Sequence, residues 1–220
     1  MSYSKIPVNG EFRITCAFGE ENPRYACGWH TGVDIVNDDR IVYSPTFGNI
    51  YKIGYDASYG NYIVIADDTP NDVHFHWLCH LSKVECSIGE KVEPSTRLGI
   101  MGATGKKVTG IHLHYEIRNK LNKYSIVDNP CDYMGVPNER GTYNEQDYQV
   151  EGNELKTLAR STNLRNAPTV NSSEKTLYIE NTTLFVIEES VAESDGYNWD
   201  YVQIRVTGKR GYMINSNYKE

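Results

Sequence analysis

The sequence predicts an all-β protein, mainly antiparallel, with a larger β-sheet domain followed by a small β-barrel. Three observations lead there. Short apolar, β-branched runs recur between Gly, Pro and Asn/Asp turns. No convincing amphipathic helix interrupts the first block. A polar stretch separates two strand-rich blocks. The chain's 220 residues allow one large domain or two small ones. With 39% hydrophobic and 23% charged residues it is globular rather than disordered.

The elements follow in order. Arg40–Pro45 is a strand stopped by its proline. Gly48–Gly54 is a strand bounded by glycines, and Asn61–Ala66 a third, apolar and β-branched. The cluster at 67–72, DDTPND, is a strong turn signal. Val73–Leu81 and Ile111–Arg118 alternate like strands. Residues 135–155 are polar and poor in aliphatics, which reads as a linker between domains 1–134 and 156–220. The last segment returns to strands at Thr183–Ile187, Trp199–Val206 and Gly211–Ile214. About 60 residues suffice, marginally, for a small barrel without metals or disulfides.

Composition excludes several classes. The net charge of -7 argues against a nucleic-acid partner, which needs a cationic counter-surface. No apolar run approaches the roughly 18 residues of a membrane span, so no membrane partner is expected. The opening MSYSKIP lacks an apolar core and a cleavage site, so synthesis in the cytoplasm without a signal peptide is expected. The cysteines Cys16, Cys27, Cys79, Cys86 and Cys131 are odd in number and show no CxxC spacing. Reduced thiols are the expectation for that compartment; a Cys16–Cys27 or Cys79–Cys86 bridge is the alternative. Nothing indicates an oligomer, so a monomer is the default.

All six histidines lie in the first 114 residues: His30, His74, His76, His80, His112 and His114. Histidine is the commonest metal ligand and a frequent general base. In His30-Thr31-Gly32-Val33-Asp34 the His and the Asp, four apart, can converge across a helical turn or across a loop bent at Gly32. In His112-Leu113-His114 both imidazoles face one side of a strand. His80 ends the strand of His74 and His76. Each motif alone is weak, because such pairs also occur as structural or solvated residues. Together four histidines and one carboxylate exceed the three N/O ligands of a catalytic zinc, leaving imidazoles for acid–base work. His76 lies about 13 Å along the strand from His80, too far to share a metal. His74 and His76 therefore read as an exposed edge feature.

The order and context of these motifs resemble the lysostaphin/LytM-type zinc metallopeptidases of bacterial cell-wall lysis. The resemblance runs through Arg13–Gly19, Val42–Pro45, Gly48–Ile50, Tyr59–Ile65, Gly89–Val92 and Leu98–Gly105 to Gly110–Glu116, over roughly residues 10–120. It implies that His30, Asp34 and His114 bind Zn2+. It implies that His80 and His112 are the catalytic pair, His80 being favoured as base. Tyr25 is implied as a partner for the developing oxyanion. The stretch around 67–74 is extra to the family pattern. The implied activity is a peptidoglycan endopeptidase cutting glycine bridges or direct D-alanyl cross-links. Ser161–Pro168, with the later strands, resembles the opening of a bacterial SH3-like cell-wall-binding domain. In it Trp199, Tyr201 and Tyr212 are expected as barrel core and edge residues, and its ligand site is undefined. The layout resembles a phage endolysin acting on the wall after release. The alternatives are a non-catalytic wall-binding or lytic-enzyme-activating protein of the same fold, and a virion-associated lytic component.

Overall fold

The computed structural model describes residues 3–67, 73–106, 108–119, 121–149, 154–204 and 209–218. The turn expected at 68–72, and Arg205 and Val206 of an expected strand, lie outside them. The fold is nearly all antiparallel β, as the sequence predicts. Among the described residues no helix is long and apolar enough to cross a membrane. All five cysteines are free thiols.

Two compact units form, over 3–149 and 150–220. The first contains, in chain order, β1 (Glu11–Cys16), β2 (Val33–Val36), β3 (Ile41–Tyr43), β4 (Gly48–Asp56), β5 (Gly60–Asp67), β6 (Phe75–Leu81), β7 (Lys83–Val84), β8 (Lys91–Val92), β9 (Arg97–Ile100), β10 (Leu113–Arg118), β11 (Val127–Asp128), the one-turn helix α1 (Pro130–Met134) and β12 (Gly141–Asn144). The main sheet runs β12-β1-β2-β10-β6-β5-β4-β8, with β11 also on β10; β3-β9-β7 form a small second sheet.

Period-two alternation gives the central strands two different faces. Val33 and Ile35, Leu113, Tyr115 and Ile117, Ile63 and Ile65, and Leu78 pack into one apolar core. Asp34, His114 and Glu116 alternate with them and take the opposite face. Tyr62, Val64, Trp77 and Cys79 form a smaller buried cluster of their own. Gly32 lets the chain press onto β10: a Cβ there would lie 2.4 Å from the Tyr115 carbonyl oxygen and 2.9 Å from His114 Cε1. The chain also bends at Thr31 and Gly32, as the sequence suggests.

Two expectations are corrected. The polar segment 135–155 is no loose linker over most of its length. β12 pairs with β1 from Glu11–Asn144 to Ile14–Gly141. Asn138 and Phe18 exchange two hydrogen bonds of 3.0 Å, and Arg140 Nε donates to Glu20 at 2.8 Å. An edge strand needs only one apolar residue per turn of the pleat, here Tyr143, so its composition resembles a loop. Nor is His74-Phe75-His76 an exposed edge. β6 lies between β10 and β5, and His76 is wholly buried, its Nδ1 2.7 Å from the Tyr115 hydroxyl. His74 is half-buried beside Asp67 and Asp128.

The second unit holds β13 (Glu154–Thr157), β14 (Thr162–Arg165), β15 (Lys175–Tyr178), β16 (Thr183–Ser194), β17 (Tyr197–Ile204) and β18 (Arg210–Ile214), in the order β13-β16-β17-β18-β14-β15. Leu158, Leu164, Tyr178, Leu184, Val186, Val202, Ile204 and Met213 form its core. Trp199 is fully buried and donates Nε1–H to the Ser194 carbonyl at 3.2 Å. Tyr201 and Tyr212 pair on neighbouring strands, ring centroids 5.2 Å apart.

The packing under Gly32 makes a direct prediction. Gly32→Ala should lower resistance to urea unfolding by about 1–3 kcal/mol, the usual cost of overpacking. Gly110→Ala, where a methyl meets open space, should be close to neutral in the same measurement.

Candidate active site

Four separate pieces of chain deliver the site. His30 closes the β1–β2 loop, which folds back on itself through Gly19 N–H to His30 O and His30 N–H to Glu20 O, both 2.9 Å. Asp34 sits in β2 directly across from His114 in β10. His112 precedes β10 and is held by a bridge to Gly102. His80 comes from β6 by an irregular route. Simple alternation would send it to the core face with His76 and Leu78. Instead its φ is +65°, and the pairing with β5 slips between Asn61–Leu81 and Ile63–Leu78. A bulge at a strained residue re-aims a side chain, and such strain concentrates at functional sites.

The five residues meet. His30 Nε2 is 3.1 Å from Asp34 Oδ1 and 3.0 Å from His114 Nδ1, and His114 Nδ1 is 2.9 Å from Asp34 Oδ1. His112 Nε2 is 3.7 Å from the same carboxylate oxygen. The His80 ring lies 4.8 Å from that of His112 and 5.8 Å from that of His114. Tyr25 stacks on His30 at 5.1 Å, but its hydroxyl meets Cys16 Sγ at 3.5 Å.

Each imidazole has its other ring nitrogen tied down. His30 Nδ1–H donates to the Ala17 carbonyl at 3.0 Å. His114 Nε2–H donates to Glu116 Oε1 at 3.0 Å. His80 Nδ1–H donates to Thr104 O at 3.0 Å, and His112 Nδ1–H to Gly110 O at 2.9 Å. These bonds orient the four rings and turn their other nitrogens into one space.

Electrostatics point the same way. Burial alone would raise the Asp34 carboxyl, but hydrogen bonds from His114 and His30 hold it well below the usual carboxylate range. Burial would lower His30, yet the Asp34 carboxylate prevails and lifts it to about 10. Two imidazole nitrogens and a carboxylate oxygen with this affinity for a proton form a donor set for one divalent metal. Burial, with His114 and His112 alongside, pushes His80 down to about 4. It stays neutral at pH 7 and can accept a proton at Nε2.

Residues 28–126 match the model of Peptidase family M23. The chain carries an M23 peptidase domain. It is 31% identical over 123 residues to the peptidoglycan DD-endopeptidase ShyA of Vibrio cholerae, a match covering 53% of the chain and 27% of ShyA. It is 33% identical over 108 residues to lysostaphin of Staphylococcus simulans, covering 49% and 22%. The matches thus span about a quarter of these curated relatives. The crystallised catalytic domain of lysostaphin from the same organism aligns with a TM-score of 0.50 and 27% identity, over 54% of this chain and 89% of that one.

Within the M23 domain, sequence reasoning passed over Glu116 as a functional residue. It is fully buried, orients His114, and accepts from Thr31 Oγ1 at 2.6 Å, Tyr59 Oη at 3.1 Å and Arg118 Nε at 2.7 Å. The signal was available: Glu116 stands two residues from His114 and so shares its face. Burial would raise its carboxyl, but His114, Arg118 and Thr31 hold it at about 2.

Glu116→Gln should weaken metal retention about 10–100-fold, the usual cost of losing such a partner, in chelator competition. The sign with pH also follows. A depressed folded pKa means the stabilisation is complete above the unfolded carboxyl value of 4.5 and is lost as pH falls towards about 2. Acid titration of the metal-free chain by circular dichroism should show this loss, and Glu116→Gln should flatten it.

Proposed function

We propose that the chain is a zinc-dependent endopeptidase hydrolysing an amide bond in the peptide cross-links of bacterial peptidoglycan. The observation that carries this reading is the meeting of His30 Nε2, Asp34 Oδ1 and His114 Nδ1 within 2.9–3.1 Å beside two further tautomer-fixed imidazoles. The names of its relatives ShyA and lysostaphin support wall peptide as the substrate class.

His30, Asp34 and His114 would hold the zinc. When bound, zinc supplies a Lewis acid that polarises an amide carbonyl and makes water more acidic. The remaining steps fall to this chain's residues. His80 Nε2 takes the proton of the attacking water and delivers it to the leaving amine. Thr104 O holds the opposite edge of that ring and stabilises the charge it gains. His112, its ring against that of His80 and its Nδ1–H given to Gly110 O, hydrogen-bonds the tetrahedral intermediate by accepting at Nε2 from the hydroxyl left by the water. The resemblance assigns Tyr25 to the developing oxyanion; its ring stacks on His30 and its hydroxyl lies 3.5 Å from Cys16 Sγ.

The second unit, read as an SH3-like domain, would hold the enzyme on the wall and raise its local concentration there. In this endolysin-like reading the enzyme is made in the cytoplasm and reaches the wall on release.

Digestion of defined peptidoglycans, followed by mass spectrometry of new amino termini, tests activity and bond together. The expected result is one new terminus type, abolished by chelation and restored by zinc. His80→Ala should lower kcat about 10²–10⁴-fold while retaining metal. His114→Ala should lose both. Lysis that survives chelation would sink the metal mechanism.

A further inference from the structure

The proton-transfer scheme does not use Cys16, yet its sulfur lies inside the donor cluster. Sheet register explains why. Cys16 in β1 stands across from Asp34 in β2, which stands across from His114 in β10. The row depends on one extra residue: Ile14 pairs with Ile35, Thr15 is passed over, and Cys16 then pairs with Asp34. Regular pairing would have set Thr15 against Asp34. The bulge brings the cysteine there instead.

The result is a compact set. Cys16 Sγ, a ring nitrogen of His30 and a carboxylate oxygen of Asp34 lie within 4.8 Å of one another. Cys16 is only 9% exposed. Its sulfur touches the Tyr25 hydroxyl, on the ring that stacks over His30.

We propose that Cys16 is a fourth metal donor, closing the site with its thiolate when no substrate is bound. This inference rests on the metallopeptidase reading. Zinc takes sulfur, nitrogen and oxygen donors together; four protein donors make a closed site, three an open one. Metal–sulfur and metal–nitrogen bonds of about 2.3 and 2.0 Å place tetrahedral neighbours about 3.5 Å apart. Rotation of Cys16 about its single side-chain torsion is the motion that would bring the sulfur to that spacing. As the sulfur–metal bond forms, the thiol proton passes to solvent, and no oxidant or reductant is needed. When that bond opens, the thiolate takes a proton back from solvent, the thiol returns to the Tyr25 hydroxyl and one coordination position is free. The donor set also gains a soft ligand, favouring zinc, cobalt or cadmium over magnesium and calcium.

The test is absorption spectroscopy of the full chain loaded with cobalt(II), without substrate. The expected spectrum has tetrahedral d–d bands in the visible and a sulfur-to-cobalt charge-transfer band in the near ultraviolet. Cys16→Ser should lose the charge-transfer band and keep the d–d bands; Cys27→Ser should keep both. Cadmium NMR of the unsubstituted chain should show the downfield shift of a sulfur donor, whether or not a variant folds. Visible bands without charge transfer, or a charge-transfer band that survives Cys16→Ser, would overturn the role of Cys16 alone. Absence of all cobalt bands would overturn the metal site with it.

Discussion

The antiparallel register between β2 and β10 carries the site. It places His114 opposite Asp34, so a carboxylate and an imidazole approach without either strand leaving the sheet. A slip of β2 by one residue would turn Asp34 into the core and bring Val33 and Ile35 to the site face, and a slip of β10 would do the same with His114, Leu113 and Tyr115. Either exchange would expose apolar residues and bury a polar group, so the hydrophobic core holds the catalytic geometry in register. Gly32 permits the close approach that completes the arrangement.

The same face concentrates charge in a poorly solvated place. Asp34, Glu116 and Arg118 are all largely buried, and burying such groups is costly unless each is paired. Here the pairing is complete around Glu116: His114, Thr31, Tyr59 and Arg118 all reach it. Arg118 in turn lies 3.7 Å from the centroid of the Trp77 ring. Removing one member leaves the others desolvated and unpaired, so the network enforces the His114 orientation more strongly than a single hydrogen bond would. Aromatic packing around it links the orientation of His114 to the stability of the sheet.

Much of this was legible from residue patterns. Alternation in Ile111–Arg118 and glycines around Gly48–Gly54 mark strands, and those strands exist. His30, Asp34, His80, His112 and His114 could be singled out because ligand-type residues at short spacings predict convergence. The polar segment after Gly135 misled because an edge strand with one half-buried aromatic has the composition of a loop. His74 and His76 misled because pattern alone cannot tell an edge strand from an interior strand whose polar residues are paired.

The sequence by itself determined the fold class, the residues available for metal and proton chemistry, and the likeness to wall peptidases. These depend on local periodicity and on residue type. Tertiary structure alone decided three things. The bulge and positive φ at His80 turn it from the core face to the site. The bulge before Cys16 brings a thiol beside Asp34. The Glu116 network orients His114 from behind. The first two arise from pairing between strands distant in sequence, where one inserted residue reverses the face a side chain takes; the third gathers Thr31 and Tyr59 from elsewhere in the chain around Glu116. No local pattern in the chain records that reversal.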